Sequence, residues 1–411
     1  MNLKLQRAID RYVGVPLCAL FSVLAWRPGR ARQAAKGKPV ERILVILLSE
    51  MGSLVLAYPM FSWLRQQHPN AELYALVFEK NREVLDLMKV MPAAHVLTIR
   101  DKSASTLCID SLRVIRRMRQ LNIDVSIDCE LFARISAIFS FLSGARKLSG
   151  FFRYAQEGLY RGTFITHRVL YNPYRHIADQ FLGLAQSWDD NAQPSNKNAA
   201  APLAKTFQLP KLEVTAAEIG QSKSKLNQNF AATTGRELVL IYPGGGILPI
   251  RAWPAESYAE ICRKLIASGR TVAVIGLAGD KALAQDIVKM SGSEFCLDLT
   301  GYTRNVRELL VLFHHAQLLI TNDGGPGQFA AMTPIDSIVL FGPETPVLYG
   351  SLTPRSISIH LEQHPCSPCL TAYNHRQSPC DGDNQCLKRI TPAQIMAVAM
   401  QKLTEPADAR A

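Results

Sequence analysis

A chain of 411 residues, 48% hydrophobic and 19% charged, is long enough for two domains with real cores and is not the composition of a disordered segment. The net charge of +12 is unevenly placed: residues 1–40 hold Lys4, Arg7, Arg11, Arg27, Arg30, Arg32, Lys36 and Lys38 against Asp10 alone, so +7 of the excess lies in this leader.

Between those charges runs Tyr12 to Trp26, fifteen residues interrupted by Gly14 and Pro16. That is short of the roughly 20 needed to cross a bilayer. No small-residue cleavage site follows and the next flank is basic, which speaks against a secretory signal. A basic, aromatic-ended apolar segment suits the inner face of the cytoplasmic membrane, held by anionic lipid. A helix packed on the protein is the other reading, and both stay open. No other stretch approaches a transmembrane span.

Residues 42–48 form a continuous apolar run, the pattern of a central parallel strand buried on both faces. Strand-like runs recur at 73–78, 95–99 and 124–129. Helical patterns lie between them, the clearest at 106–121 with Leu112, Ile115, Met118 and Leu121 on one face. A helical pattern at 175–186 closes this domain, taken as 41–188. Asp189 to Pro202 is polar and broken by proline, and 189–235 is expected to link the halves. Alternation resumes at 238–242, 271–276, 295–299, 318–322 and 337–341, giving a second domain over 236–390. The tail, 391–411, opens with a helix whose cap is Thr391 and whose first residue is Pro392. Strand and helix alternating twice predict an α/β chain of two doubly wound sheets.

Three strand-to-turn junctions carry the chemistry. In the first, an apolar run breaks at Thr321-Asn322-Asp323, and Gly324, Gly325, Pro326 and Gly327 lead into a helix. Ligands of such sheets sit beyond the carboxyl ends of the strands, where free N–H groups and a helix dipole favour an anion such as a diphosphate. Asp323 would face a hydroxylated group. In the second, Tyr242 runs into Pro243, Gly244, Gly245 and Gly246, followed by Arg251-Ala252-Trp253-Pro254. The third is Phe341-Gly342-Pro343-Glu344-Thr345-Pro346.

On these motifs the chain resembles glycosyltransferase family 9, the lipopolysaccharide heptosyltransferases and their relatives, over about residues 41–390. That family carries Pro-Gly-Ala with Lys-x-Trp-Pro, then Thr-Asn-Asp-Ser-Gly-Pro, then Phe-Gly-Pro-Thr-x-Pro. The resemblance implies the GT-B type of fold: two Rossmann-like domains facing across a cleft, with the nucleotide-sugar on the C-terminal half and the acceptor on the N-terminal half.

Transfer from a nucleotide diphosphate needs a base for the acceptor hydroxyl and positive potential for the leaving group. On the donor side the expected residues are Gly244, Gly245, Arg251, Asp280, Thr300, Asp323, Gly324, Gly325, Gly327 and Gln328. Arg251 stands where the family has lysine, and its guanidinium keeps the charge. Asp280, after a strand end, is either a ribose acceptor or an N-cap. Gln328 replaces a frequent histidine. The family's catalytic aspartate falls on Ser53, which cannot act as a base alone; Glu50, three residues earlier in the same turn, is the expected base, partly desolvated. The acceptor side is expected to use Arg113, Arg116, Arg117 and His176. The arginine stripe has no interleaved aromatics, which argues against nucleic acid.

Cys18, Cys108, Cys129, Cys262 and Cys296 lie scattered in apolar runs, whereas Cys366, Cys369, Cys380 and Cys386 cluster in a loop. A structural clip, metal or disulfide, is expected there, with no metal assigned; Asp381-Gly382-Asp383 reads as a turn. The function expected from the resemblance is an inverting, metal-independent transferase needing no cofactor. It would move heptose from ADP-heptose to a lipopolysaccharide core or related glycan at the inner face of the cytoplasmic membrane. An impaired nucleotide-sugar-binding protein and a nucleotide-sugar epimerase are the alternatives.

Overall fold

The computed structural model describes residues 3–26, 39–48, 50–131, 133–154, 160–188, 207–246, 248–373, 377–378, 380 and 382–405. Residues 27–38 of the basic leader, residues 189–206 of the expected linker, Ser49 and Asp381 lie outside the described residues. The chain divides into two units, Met1–Gln208 with Thr371–Arg376, and Leu209–Leu370 with Gln377–Ala411.

The first unit is a six-stranded parallel sheet of β1 (Arg42–Ile46), β2 (Glu72–Phe78), β3 (Val96–Ile99), β4 (Val125–Asp128), β5 (Lys147–Phe152) and β6 (His167–Leu170). The order β3-β2-β1-β4-β5-β6 puts the reversal of winding between β1 and β4. Its helices are α1 (Leu3–Tyr12), α2 (Gly14–Ala25), α3 (Met51–Leu56), α4 (Tyr58–Gln67), α5 (Arg82–Met88), α6 (Ala104–Leu121), α7 (Arg134–Leu142) and α8 (Ile177–Gln186).

α6 starts in a capping box between Ser103 and Thr106. Its inward stripe is Leu107, Asp110, Val114, Met118 and Leu121, so Leu112, expected inside, is 70% exposed. The burial of Asp110 turns the stripe: its carboxylate takes the backbone N–H of Arg100 at 3.0 Å and the guanidinium at 2.8 and 2.9 Å.

The leader settles on this unit by one face. Asp10 accepts from the backbone of Arg134 at 2.8 Å and of Ile135 at 3.0 Å, capping α7, and pairs with the Arg134 guanidinium at 3.0 Å. Cys18 packs with Ala137, Leu148, Phe164 and Ile165, and Phe21 stacks on Phe141 at 4.8 Å.

The second unit repeats the plan with β7 (Leu238–Tyr242), β8 (Thr271–Gly276), β9 (Cys296–Thr300), β10 (Ala316–Asn322), β11 (Asp336–Leu340) and β12 (Ser356–Ile359). Its order, β12-β11-β10-β7-β8-β9, again all parallel, places the switch between β7 and β10. The helices are α9 (Ala216–Asn229), α10 (Ala255–Ala267), α11 (Lys281–Ser291), α12 (Val306–Phe313), α13 (Gly325–Phe329), α14 (Pro346–Tyr349), α15 (Gln385–Lys388) and α16 (Pro392–Thr404). One core joins β7, β8, β10 and β11 to α10, α15 and α16.

The expected linker is thus shortened. Residues from Leu209 belong to the second unit: Leu212 N–H donates to Met332 O at 2.9 Å, and Glu218 on α9 pairs with Arg307 at 2.8 Å. The tail helix likewise belongs to this unit's core rather than standing apart, with Ile395, Ala399 and Leu403 buried.

Candidate functional site

In the second unit the tips of β7 and β10 are joined by one side chain. Asn322 is fully buried at the end of β10. Its Oδ1 accepts from Trp253 N–H at 3.1 Å and from the Tyr258 hydroxyl at 2.9 Å. Its Nδ2 donates to Pro243 O at 2.8 Å and Gly244 O at 3.2 Å. All four bonding positions of the amide are filled, which fixes the glycine turn, the Arg251–Trp253 segment and the β10 exit against one another.

Arg251, Asp323 and Glu344 meet beside that knot. The Arg251 guanidinium lies 2.6 Å from Glu344 and 3.6 Å from Asp323, and all three side chains are at least nine-tenths buried. The expected cation is present at the Gly324 turn, but it comes with two carboxylates rather than bare. Glu344, which the sequence passed over, stands where the family pattern has threonine, and an arginine displacing a lysine at 251 was the available signal for a changed partner.

The expected glycines divide by what surrounds them. A Cβ on Gly245 would lie 2.6 Å from Leu248 O, and one on Gly244 2.9 Å from the Tyr242 ring, so that turn is closed by its own backbone. On Gly325 it would meet the Phe329 ring at 3.2 Å, and on Gly327 Val339 at 3.1 Å. Gly327 thus serves helix-to-sheet packing against β10 and β11, whereas Gly325 makes room for the ring of its own helix. Gly324 alone faces space, its nearest atom 3.9 Å away. The helix that follows, α13, is only five residues, so its dipole is small.

Asp280 stands at the N-cap position of α11 but its side chain makes no capping bond to that helix; it takes Leu277 N–H at 2.9 Å in the turn before it, and its carboxylate also overlooks Gly244 and Gly276. Burial, and then Asp280 beside it, push the Tyr242 hydroxyl up to about 12, so this ring is a neutral donor near neutrality. The Thr300 hydroxyl is used on Asp298 at 2.6 Å. The Gln328 side chain is buried and donates to Tyr349 O at 2.7 Å, so it braces α14 from behind the turn.

The cysteine loop supports the site from outside. Asn384 donates to Ile250 O at 2.5 Å, and Trp253 Nε1 to Ile390 O at 3.0 Å, holding the Arg251 segment; a Cβ on Gly342 would strike Leu387 at 2.5 Å. Cys366, Cys369, Cys380 and Cys386 are in the thiol form, and burial pushes Cys386 up to about 11. The expected disulfide clip is not formed, and among the described residues no three ligating side chains gather closely enough to hold a metal ion. Asp383 pairs with Lys388 at 2.6 Å within its turn.

In the first unit the exit of β1 is aimed by two side chains that the sequence did not single out. Asn81 donates to Leu48 O at 2.5 Å, and Glu130, at the tip of β4, accepts from Leu48 N–H at 2.6 Å. The next residues carry Glu50, the N-cap of α3, with the Ser53 hydroxyl 3.5 Å from its Oε2. Behind Glu130, buried Asp128 bonds Arg161 and, at 3.2 Å, Ser136; burial raises its carboxyl against the pull of Arg161. Acids directly after the β4 apolar run were the visible signal.

The basic stripe is not brought to these tips. Arg113 pairs with Asp110 at 3.1 Å, while Arg117 lies close enough to Tyr74, at the start of β2, to depress its hydroxyl's rise, and Arg119 bonds Leu142 O at 2.6 Å. Arg117 therefore sits toward the amino ends of the strands, while Arg113 also donates to Thr98 O on β3 at 3.4 Å. His176 caps α8, its Nδ1 accepting from Ala178 N–H at 3.2 Å.

Two doubly wound parallel sheets, each with its side-chain cluster at the switch point, define an α/β protein of the GT-B type. A profile of glycosyltransferase family 9 (heptosyltransferase) matches residues 111–378. The chain belongs to that family and is a glycosyltransferase. Lipooligosaccharide heptosyltransferase 2 of Haemophilus ducreyi is 24% identical over 78% of this chain and 88% of its own length. Lipopolysaccharide heptosyltransferase 2 of Escherichia coli is 23% identical over 86% and 96%. Among solved structures, the E. coli ADP-heptose lps heptosyltransferase II aligns with TM-score 0.66 and 19% identity over 88% of this chain and 98% of that one. An E. coli heptosyltransferase with ADP aligns with TM-score 0.61 and 14% identity over 88% and 99%.

Proposed function

We propose that this transferase moves heptose from ADP-heptose to a lipopolysaccharide core or related lipid-linked glycan, with inversion, without a metal and at the inner face of the cytoplasmic membrane. The observation that carries the reading is the cluster of Arg251, Asp323 and Glu344 beside the Gly244 and Gly324 turns, in a chain whose relatives are named for heptose transfer. The open face at Gly324 lets a diphosphate approach main-chain N–H groups. Arg251 meets the leaving phosphate by giving up its long contact to Asp323 while Glu344 keeps it in place. Asp323 is then left to accept a donor hydroxyl.

Glu50 takes the proton of the acceptor hydroxyl as the new carbon–oxygen bond forms at the anomeric carbon. The bond to the β-phosphate oxygen breaks, and ADP leaves with the electron pair. Ser53 orients Glu50 through its hydroxyl.

Purified chain incubated with ADP-heptose and a heptose-deficient core lipid should give a product heavier by one heptose, with the anomeric configuration reversed by NMR. Glu50→Gln should abolish transfer and leave calorimetric ADP-heptose binding intact; full turnover would move the base elsewhere. A second reading, a binding protein without transfer, draws on the serine at position 53 and the already neutralised Arg251. Binding without any mass gain across heptose-deficient acceptors would select it.

A further inference from the structure

α1 and α2 run on as nearly one helix, since Val13 N–H donates to Ile9 O at 2.9 Å and Leu17 N–H to Val13 O at 3.2 Å. α2 carries no charged side chain along its 12 residues, so it has no polar face for water. Its inner stripe, with Gly14, Cys18 and Phe21, is taken up by α7 and the chain beneath it. The opposite stripe recurs at the same helical spacing and stays outside: Tyr12 is 72% exposed, Leu20 51%, Val23 66% and Trp26 88%. A helix apolar all round belongs where both faces are covered, and here only one is.

Charge identifies the missing cover. Arg7 and Arg11 precede the stripe, and Arg27, Arg30, Arg32, Lys36 and Lys38 follow it in sequence. The one acid, Asp10, is spent on the α7 cap. Tyr12 and Trp26 stand at the two ends of the apolar stripe, where aromatic rings meet headgroups. On the other side of α7, α6 exposes Ile109 and Leu112 together with Arg113 and Arg116, the same pairing of apolar and basic side chains.

We infer that the outer stripe of α1–α2 docks on a bilayer rich in anionic lipid, lying along the headgroup layer rather than crossing it. Crossing would strip the inner stripe of its bonds: Asp10 to Arg134, the Ser22 hydroxyl to Thr163 N–H at 2.8 Å, and Phe21 to Phe141. This rests on the membrane location in the proposed function and deepens it, and it is measured below separately from transfer.

The test is sedimentation of the full chain with vesicles of phosphatidylcholine alone or mixed with phosphatidylglycerol. Binding to the mixed vesicles should fall about tenfold or more in Leu20→Glu/Val23→Glu, and should weaken as salt screens the arginines. Melting temperature and ADP binding should stay at the parent values, because both side chains point outward; Leu20→Ser/Val23→Ser is the milder check on folding. Equal partition of parent and variants, or no preference for the anionic vesicles, would overturn the inference. So would a dimer in light scattering that the same substitutions dissolve, which would make the occupant a second copy.

Discussion

Asn322 bonds four groups that water cannot reach, so truncation leaves all four unanswered. Asn322→Ala should cost roughly 3 kcal/mol, read by urea unfolding; a change below about 0.5 kcal/mol would mean the segments hold without it. Arg251 lies between two buried carboxylates, and Arg251→Ala strands both, for about 4 kcal/mol and loss of donor affinity. Glu344→Gln keeps a bonding partner for the guanidinium and removes one negative charge. ADP should then bind several-fold more tightly by calorimetry, and weaker binding would give Glu344 a direct part in holding the donor. Of these residues, Arg251 and Asp323 were legible from their motifs. Asn322 stood inside one and was passed over because a buried amide and an exposed one are spelled alike. Asn81 and Glu130 depend on where β2 and β4 end relative to β1, which is a long-range fact.

At the scale of elements, the glycine turns separate two jobs that sequence merges. Gly327→Ala forces a methyl to 3.1 Å from Val339 and should lower stability by about 1–2 kcal/mol. Gly324 has extended backbone and open space, so Gly324→Ala should leave stability unchanged and weaken ADP binding if a diphosphate approaches there. Unchanged affinity would remove that turn from the donor site. The central strands were readable because burial on both faces makes a continuous apolar run. β5, with Lys147 and Gly150, the edge strand β6, with His167 and Arg168, and half-buried β12 break that pattern and were missed. The α6 register slipped for a related reason: a buried aspartate paired to arginine counts as polar in any apolar periodicity.

Over the whole molecule, the first unit carries an acid-sensitive brace. The Arg100 guanidinium holds the Asp110 carboxyl down at about 2, below its usual range near 3.9. Its contribution is present above pH 4 and is lost as pH falls toward 2. Asp110→Asn should lower stability at neutral pH and flatten that limb in acid titrations followed by circular dichroism; an unaltered limb would place the acid sensitivity elsewhere. The two-sheet plan was readable from alternation alone, whereas the border at Leu209 was not, because α9 has few apolar residues and follows a polar stretch. The four-way bond at Asn322 also bears on how this chain can be recombined with relatives. Segments near 243, 253, 322 and 344, a hundred positions apart, behave as one part with its own internal fit. A graft meant to change the donor must carry them together, since any crossover falling between them would join halves cut for different partners.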